Sequence, residues 1–143
     1  MRAVLDASAL VDIVIERLPR TPAERFAAAY DGGLMAPPLL WSEATSALHR
    51  LAADGRLDPD FATRQHVLAE GARVARREPP GLRARAWEIA DRMGWARTYD
   101  AEYCALAKLE DVPLVTGDER LVRGARGRLA YVLSLTDEAG RLA

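Results

Sequence analysis

Four carboxylates spread along the chain could together do chemistry that none of them could do alone. They are Asp6, Glu43, Asp100 and Asp118. Mg²⁺ and Mn²⁺ prefer oxygen ligands and keep several of their waters, so three or four carboxylates in one cleft suit such an ion. A cation held in this way can lower the pKa of a bound water and neutralise charge on a phosphate. These residue types therefore indicate metal-assisted chemistry on a phosphate.

Each of these acids also has an ordinary structural explanation. Asp6, Asp100 and Asp118 each precede a segment with helical spacing, where Asp is a good N-cap because it accepts hydrogen bonds from free backbone N–H groups. Glu43 is expected in the first turn of its helix, where a solvated acid interacts favourably with the helix dipole. Taken one at a time, the four acids do not decide between a site and a set of helix caps.

The hydrophobic pattern predicts short buried strands that alternate with helices. Strands are expected at 2–5, 34–36, 112–116 and 129–133. Helices are expected at 8–17 (closed by Pro19), 22–30, 39–53, 59–77, 82–94 and 100–110, then a short one after Asp118 and a final turn capped by Thr136. Such alternation predicts a single α/β domain over residues 1–143, a three-layer α/β/α sandwich with a short, mostly parallel sheet of four or five strands.

This fold would bring the acids to one edge of the sheet. In parallel sheets, ligands bind outside the carboxyl ends of the strands. Asp6 and Asp118 follow strand ends, and Glu43 follows a Pro-Pro turn after a third strand. Neighbouring carboxylates raise each other's pKa unless a cation is present. Ser8 and Thr116 add hydroxyls that could hydrogen-bond the acids or metal waters, or serve only as cap and turn hydroxyls.

Composition limits the class of protein. The chain has 143 residues, half of them apolar, and a formal net charge of −1, so the molecule as a whole does not attract nucleic acid. No apolar run is long enough to span a membrane and the start is not a signal peptide, so no membrane association is expected. The single cysteine, Cys104, cannot form an internal disulfide, which fits a cytoplasmic protein.

Segments around the four acids resemble the motifs of the PIN-domain family of nucleases and, within it, the VapC-type toxins of bacterial toxin–antitoxin pairs. The first resembles the family's opening strand and Asp-x-Ser motif, and the second its Pro-rich turn ahead of a helical Glu. The last two resemble its third acidic motif and its Thr-x-Asp motif. The segments are 4–10, 37–43, 99–107 and 114–121. One position departs: many relatives carry Asn three residues after the Glu, where this chain has the shorter Ser46.

The resemblance implies a Mg²⁺-dependent endoribonuclease, with Mn²⁺ able to substitute, that acts as the toxin of a toxin–antitoxin pair. It implies structured RNAs such as tRNA or rRNA as substrates, a homodimer, and a small cognate antitoxin that brings an Arg or Lys toward the carboxylates. In this interpretation Asp6, Asp100 and Asp118 are the main metal anchors. Glu43 is a further ligand or positions the attacking water. The supporting residues would be Ser8, Thr116 and Ser46.

Two other functions remain open beside this one. A PIN-fold module could bind RNA or a protein without cutting, although a full set of acids argues against a decayed site. A phosphatase with an aspartyl nucleophile after the first strand would need a second acid two residues on, where this chain has Ser8. For a nuclease, arginines at the cleft mouth should hold RNA phosphates, and Arg17, Arg120 and Arg123 are unranked candidates.

Overall fold

The structure is a computed structural model that describes residues 1–16 and 21–142. Strands and helices alternate along the chain, as the hydrophobic pattern predicts. The strands are β1 (Ala3–Leu5), β2 (Leu34–Ala36), β3 (Ala75–Arg76), β4 (Leu114–Thr116) and β5 (Val132–Ser134). The helices are α1 (Ala7–Ile15), α2 (Pro22–Ala29), α3 (Leu39–Ala53), α4 (Pro59–Glu70), α5 (Leu82–Met93), α6 (Tyr99–Glu110), α7 (Glu119–Ala125) and α8 (Leu135–Arg141).

The five strands form one parallel sheet in the order β3-β2-β1-β4-β5. Every residue of β1, β2 and β4 is buried. Because successive side chains of a strand point to opposite faces, both faces of the sheet must be covered by helices. The prediction of a three-layer α/β/α sandwich with a short parallel sheet is therefore confirmed, with five strands rather than four.

The sheet order determines where the functional edge lies. β1 and β4 are neighbours at the centre, with Leu5 paired to Val115 near their carboxyl ends. The chain leaves β1 into α1 and leaves β4 into α7. Residues that follow these two strands are therefore brought side by side although they are more than a hundred positions apart in the sequence.

The predicted helix over 59–77 was wrong in its last part. α4 ends at Glu70 with Gly71 as its C-cap, and the chain then runs into β3 at the edge of the sheet. The N–H of Arg77 donates to the carbonyl of Ala36 at 2.9 Å, so the backbone of this segment is satisfied by β2 rather than by its own helix. This pairing is not local, which is why the periodicity of the segment did not indicate it.

Other boundaries moved by smaller amounts. The last strand begins at Val132 rather than 129, and the strand expected from 112 begins at Leu114. The final helix is capped by Ser134, whose Oγ accepts the N–H of Asp137, so the prediction of Thr136 as the cap was wrong. The predicted end of the first helix at Arg17 and Pro19 lies outside the described residues.

None of the helices in the described part of the chain is long and apolar enough to cross a bilayer. The longest of them, α3, has 15 residues, whereas a membrane-spanning helix needs roughly 20 apolar ones.

Candidate active site

Asp6 is the most deeply buried of the four acids, with 5% of its surface exposed. It follows β1 and caps α1, because its Oδ1 accepts the N–H of Ala9 at 3.0 Å. The same oxygen accepts the hydroxyl of Ser8 at 2.6 Å, and Oδ2 accepts the hydroxyl of Thr116. An ionised carboxylate has about four lone-pair sites, so these three hydrogen bonds leave one acceptor position. The cap explanation and a role in the cluster are therefore compatible.

Hydroxyl groups join the ends of β1 and β4. Thr116 is fully buried, and its Oγ1 also accepts the N–H of Asp118 at 3.0 Å. Ser8 Oγ accepts the N–H of Gly117 at 2.9 Å. A β-carbon at Gly117 would overlap the Oδ2 of Asp12, so any larger residue here would require the Asp12 side chain to move. The two hydroxyls thus orient Asp6 and hold the backbone that leads into Asp118.

Asp118 and Asp100 enter the site from different helices. Asp118 caps α7, since its Oδ1 accepts the N–H of Arg120 at 2.9 Å. Asp100 is the second residue of α6, whose N-cap position is Thr98, so the prediction that Asp100 caps a helix was wrong. Because it does not cap α6, the Asp100 carboxylate is available to bind a ligand in the site.

Glu43 was expected in the first turn of its helix but lies just beyond it. It is the fifth residue of α3, beyond the first turn. Its Oε1 accepts the hydroxyl of Tyr103, from α6, at 2.6 Å. Because Tyr103 is 1% exposed, this contact holds Glu43 against the core while the other carboxylate oxygen stays available.

Three of the four acids line one cleft of about 600 Å³. Its carboxylates are Glu43, Asp100 and Asp118. Residues 94–97, between α5 and α6, line it, as do Tyr99 at the start of α6, Arg120 and other residues of α7. Asp6 does not line this cleft; it is linked to it through Thr116 and through its electrostatic effect on Glu43.

The carboxylates raise one another's pKa. Burial raises the pKa of Asp6, Asp100 and Glu43 above the ordinary values. The charge of Asp100 adds to the rise at Asp6 and Glu43, and Asp118 adds to the rise at Asp100. Hydrogen bonds from Ser8 and Thr116, at Asp6, oppose the rise. Negative charge is therefore concentrated here, at a site where a cation would be favoured.

The sequence profile of the PIN domain matches residues 3–127. The chain belongs to the PIN-domain family. This PIN domain is 33% identical to ribonuclease VapC3 of Mycobacterium tuberculosis over 122 residues, which cover 85% of the chain and 86% of that protein. It is 39% identical to ribonuclease VapC9 of the same organism over 88 residues, 62% of the chain and 67% of that protein. Within its family the chain is therefore VapC-type.

A solved structure shares the fold of this PIN domain. The crystal structure of PAE2754 from Pyrobaculum aerophilum matches it with a TM-score of 0.74 and 25% sequence identity. The match covers 99% of this chain and 95% of that one. The parallel sheet and its flanking helices thus match a fold that has been determined by crystallography.

Not every predicted site residue of this PIN domain joins the cleft. Ser46 is exposed and lines a separate hollow with Trp41 and His49, and it has no hydrogen-bond partner among the described residues. Arg120 lines the cleft, with its Nε 3.6 Å from Asp118 Oδ1. Arg123 is exposed on α7 but does not line the cleft, and Arg17 lies outside the described residues.

Sequence reasoning missed Tyr103. This residue lies three positions after Asp100, which places both on one side of α6. A large side chain one turn from a candidate acid was the available signal, but its partner Glu43 is 60 residues away. Only the packing of α6 near α3 shows that the hydroxyl holds a site carboxylate.

The donor atoms fit Mg²⁺ or Mn²⁺ better than Zn²⁺. Within the described residues, no three His, Cys, Asp or Glu side chains form a group that could hold a metal ion. Zn²⁺ usually takes three or four protein ligands, including nitrogen or sulfur. Mg²⁺ is usually bound by one or two carboxylates together with waters and substrate phosphates. The cleft offers such oxygen donors, and a cation would relieve their mutual repulsion.

Proposed function

We propose that this PIN domain is a Mg²⁺-dependent endoribonuclease that acts as the toxin of a toxin–antitoxin pair. The observation that carries the proposal is the cleft that Glu43, Asp100 and Asp118 line together, from α3, α6 and the start of α7. Helix capping does not explain why acids so far apart in the sequence line one cleft. Raised pKa values, as at Glu43 and Asp100, are typical of functional sites. The names of the relatives, both ribonucleases, support the same reaction.

In this proposal Asp100 and Asp118 would hold the metal together with its waters. Glu43 and the buried Asp6 would act on those waters and on the charge of the site, since no three of these acids form a metal-holding group among the described residues. Mn²⁺ would substitute because it prefers the same oxygen donors. When bound, the cation supplies the positive charge that a phosphodiester needs for hydrolysis and lowers the pKa of a water. The acids themselves could not approach a phosphate without such charge, since they repel it.

Glu43 is suited to position the attacking water. Tyr103 occupies Oε1 with its hydrogen bond, which leaves Oε2 to accept a proton or a hydrogen bond from a water. Burial raises the pKa of Glu43, and a carboxylate with a raised pKa is a better proton acceptor near neutral pH. Arg120, beside Asp118, can contact a phosphate oxygen of the RNA at the mouth of the cleft.

The proposed partners follow from the same charge. Structured RNA of the tRNA or rRNA class is the substrate. A small cognate antitoxin inhibits by placing an Arg or Lys against the carboxylates, because a guanidinium can replace the charge of the metal. The protein acts as a homodimer in the cytoplasm.

RNA cleavage is the direct test. Purified protein is incubated with tRNA and rRNA in Mg²⁺, in Mn²⁺ and in EDTA. We expect cleavage with either metal, none in EDTA, and a loss of at least about 100-fold in Asp118→Asn and Asp100→Asn, since each removes an anionic ligand. Asp91→Asn, at an exposed position of α5 outside the cleft, is the matched control and should cleave normally. Unchanged cleavage in EDTA, with contaminating nuclease excluded, would refute the metal mechanism.

Thermal melting separates a binding module from a metal enzyme without relying on activity. Mg²⁺ that binds only the folded state raises its Tm by mass action. We therefore expect millimolar Mg²⁺ to raise the Tm of the wild type, and to raise that of Asp100→Asn much less. Tight RNA binding without cleavage, together with a Tm indifferent to Mg²⁺, would instead indicate a module that binds RNA without cutting it.

A further inference from the structure

One side of the cleft is lined by aromatic residues and a cation. Trp95 and Arg97, from the segment that joins α5 to α6, and Tyr99, the first residue of α6, contribute to the lining. Trp95 is partly buried and packs against the core, so its position is anchored. Tyr99, by contrast, has 57% of its surface exposed, although it directly precedes the site residue Asp100. A large aromatic side chain left exposed at the cleft needs an explanation.

The charges of the cleft do not favour RNA phosphates on balance. The lining carries three carboxylates, Glu43, Asp100 and Asp118, against the two guanidinium groups of Arg97 and Arg120. Arg120 is partly neutralised by Asp118, at 3.6 Å. No described carboxylate lies within 4.0 Å of the Arg97 guanidinium, which leaves it available to an incoming phosphate. RNA that enters this cleft therefore needs a contact that the carboxylates do not oppose.

Stacking of a nucleobase on an aromatic ring is such a contact. It depends on the π-face of the base, tolerates any base, and does not require positive charge. An exposed tyrosine can stack on one base of the RNA, and a nearby arginine without an ion-pair partner can bind the adjacent phosphate. In an A-form duplex the faces of the bases are covered by their neighbours, so only an unpaired or looped nucleotide can stack on a protein ring.

On the basis of the proposed nuclease function, we infer that Tyr99 is a stacking platform for an unpaired nucleobase of the RNA, with Arg97 holding an adjacent phosphate. Trp95, packed against the core, lines the same cleft. Tyr99 and Arg97 select the substrate, whereas the carboxylates perform the hydrolysis.

Binding rather than cleavage tests this inference, so its failure can be distinguished from failure of the nuclease proposal. All variants are made in the Asp118→Asn background, in Mg²⁺, with a short fluorescein-labelled oligouridylate as the probe. We expect Tyr99→Ala to weaken binding by about 5- to 150-fold, the range for loss of one stacked base, and Tyr99→Phe to bind normally. Trp87→Ala, which removes another exposed aromatic residue from α5 outside the cleft, is the matched control and should also bind normally.

Salt dependence and probe structure separate stacking from charge. Tyr99→Ala should leave the slope of log K against log salt unchanged, while Arg97→Gln should reduce its magnitude by about 0.7, the value for one phosphate contact to a single strand. A ribose-phosphate oligomer without bases should bind Tyr99→Ala and the parent equally, and a duplex should bind more weakly than the single strand. The inference is overturned if Tyr99→Ala binds the oligouridylate as well as the parent does, or if the duplex binds as tightly as the single strand.

Discussion

Asp12 carries a charge that should destabilise the metal-free protein near neutral pH. It lies in the middle of α1, partly buried, and has no hydrogen bond from its side chain to any described residue. Burial raises the pKa of this carboxyl to about 6, and the charges of Glu16 and Asp6 add to the rise. Asp12→Asn keeps the shape of the side chain and removes the charge. We expect the variant to be more stable than the wild type.

The size and the pH range of the effect follow from the pKa. The rise from 3.8 to about 6 corresponds to about 3 kcal/mol, at roughly 1.4 kcal/mol per unit. Since water screens a partly exposed carboxylate, we expect a gain of about 1 to 3 kcal/mol. Because the folded-state pKa is the raised one, the folded state binds more protons between these two pH values. The contribution of Asp12 to the stability of the wild type therefore falls as pH rises through this range and is constant above it.

Urea unfolding in EDTA, followed by circular dichroism, measures the difference directly. The gain of Asp12→Asn should be near zero below about pH 4 and complete at about pH 7. Asp91→Asn makes the same change at an exposed position of α5 and should stay within about 0.5 kcal/mol of the wild type. A gain of equal size at both pH values, or none near neutrality, would show that the buried charge of Asp12 is not what destabilises the protein.

Two further predictions follow from single contacts. Tyr103→Phe removes the hydroxyl whose hydrogen bond lowers the pKa of Glu43. The acid limb of the pH profile of kcat/KM for RNA cleavage should therefore move to higher pH. If the limb does not move, Glu43 does not act as an ionised base or ligand. Gln65 is buried and its Oε1 has no hydrogen-bond partner among the described residues, so Gln65→Leu should raise the free energy of unfolding by about 1 to 2 kcal/mol in urea. A less stable Gln65→Leu variant would indicate that the amide is satisfied.

Four of the five strands, most helices and the positions of two acids could be predicted from the sequence because they depend on neighbours a few residues away. A buried parallel strand reads as a short apolar run, as at Ala3–Leu5 and Leu114–Thr116. An Asp that follows such a strand and precedes a helix caps that helix, and both Asp6 and Asp118 do so. The rule that strand ends share one edge of a parallel sheet then indicated that these acids would be neighbours.

The remaining features depend on contacts between distant parts of the chain. Ala75–Arg76 becomes a strand because the edge of β2 supplies its hydrogen bonds, although its own periodicity fits a helix. The hydroxyl of Tyr103 reaches Glu43 only because α6 packs near α3. Ser46 is one helical turn after Glu43 on α3, yet it lines another hollow, with Trp41 and His49, which helical spacing alone did not indicate. Tertiary packing decides which side chains share a cleft, since that depends on how elements far apart in sequence pack together.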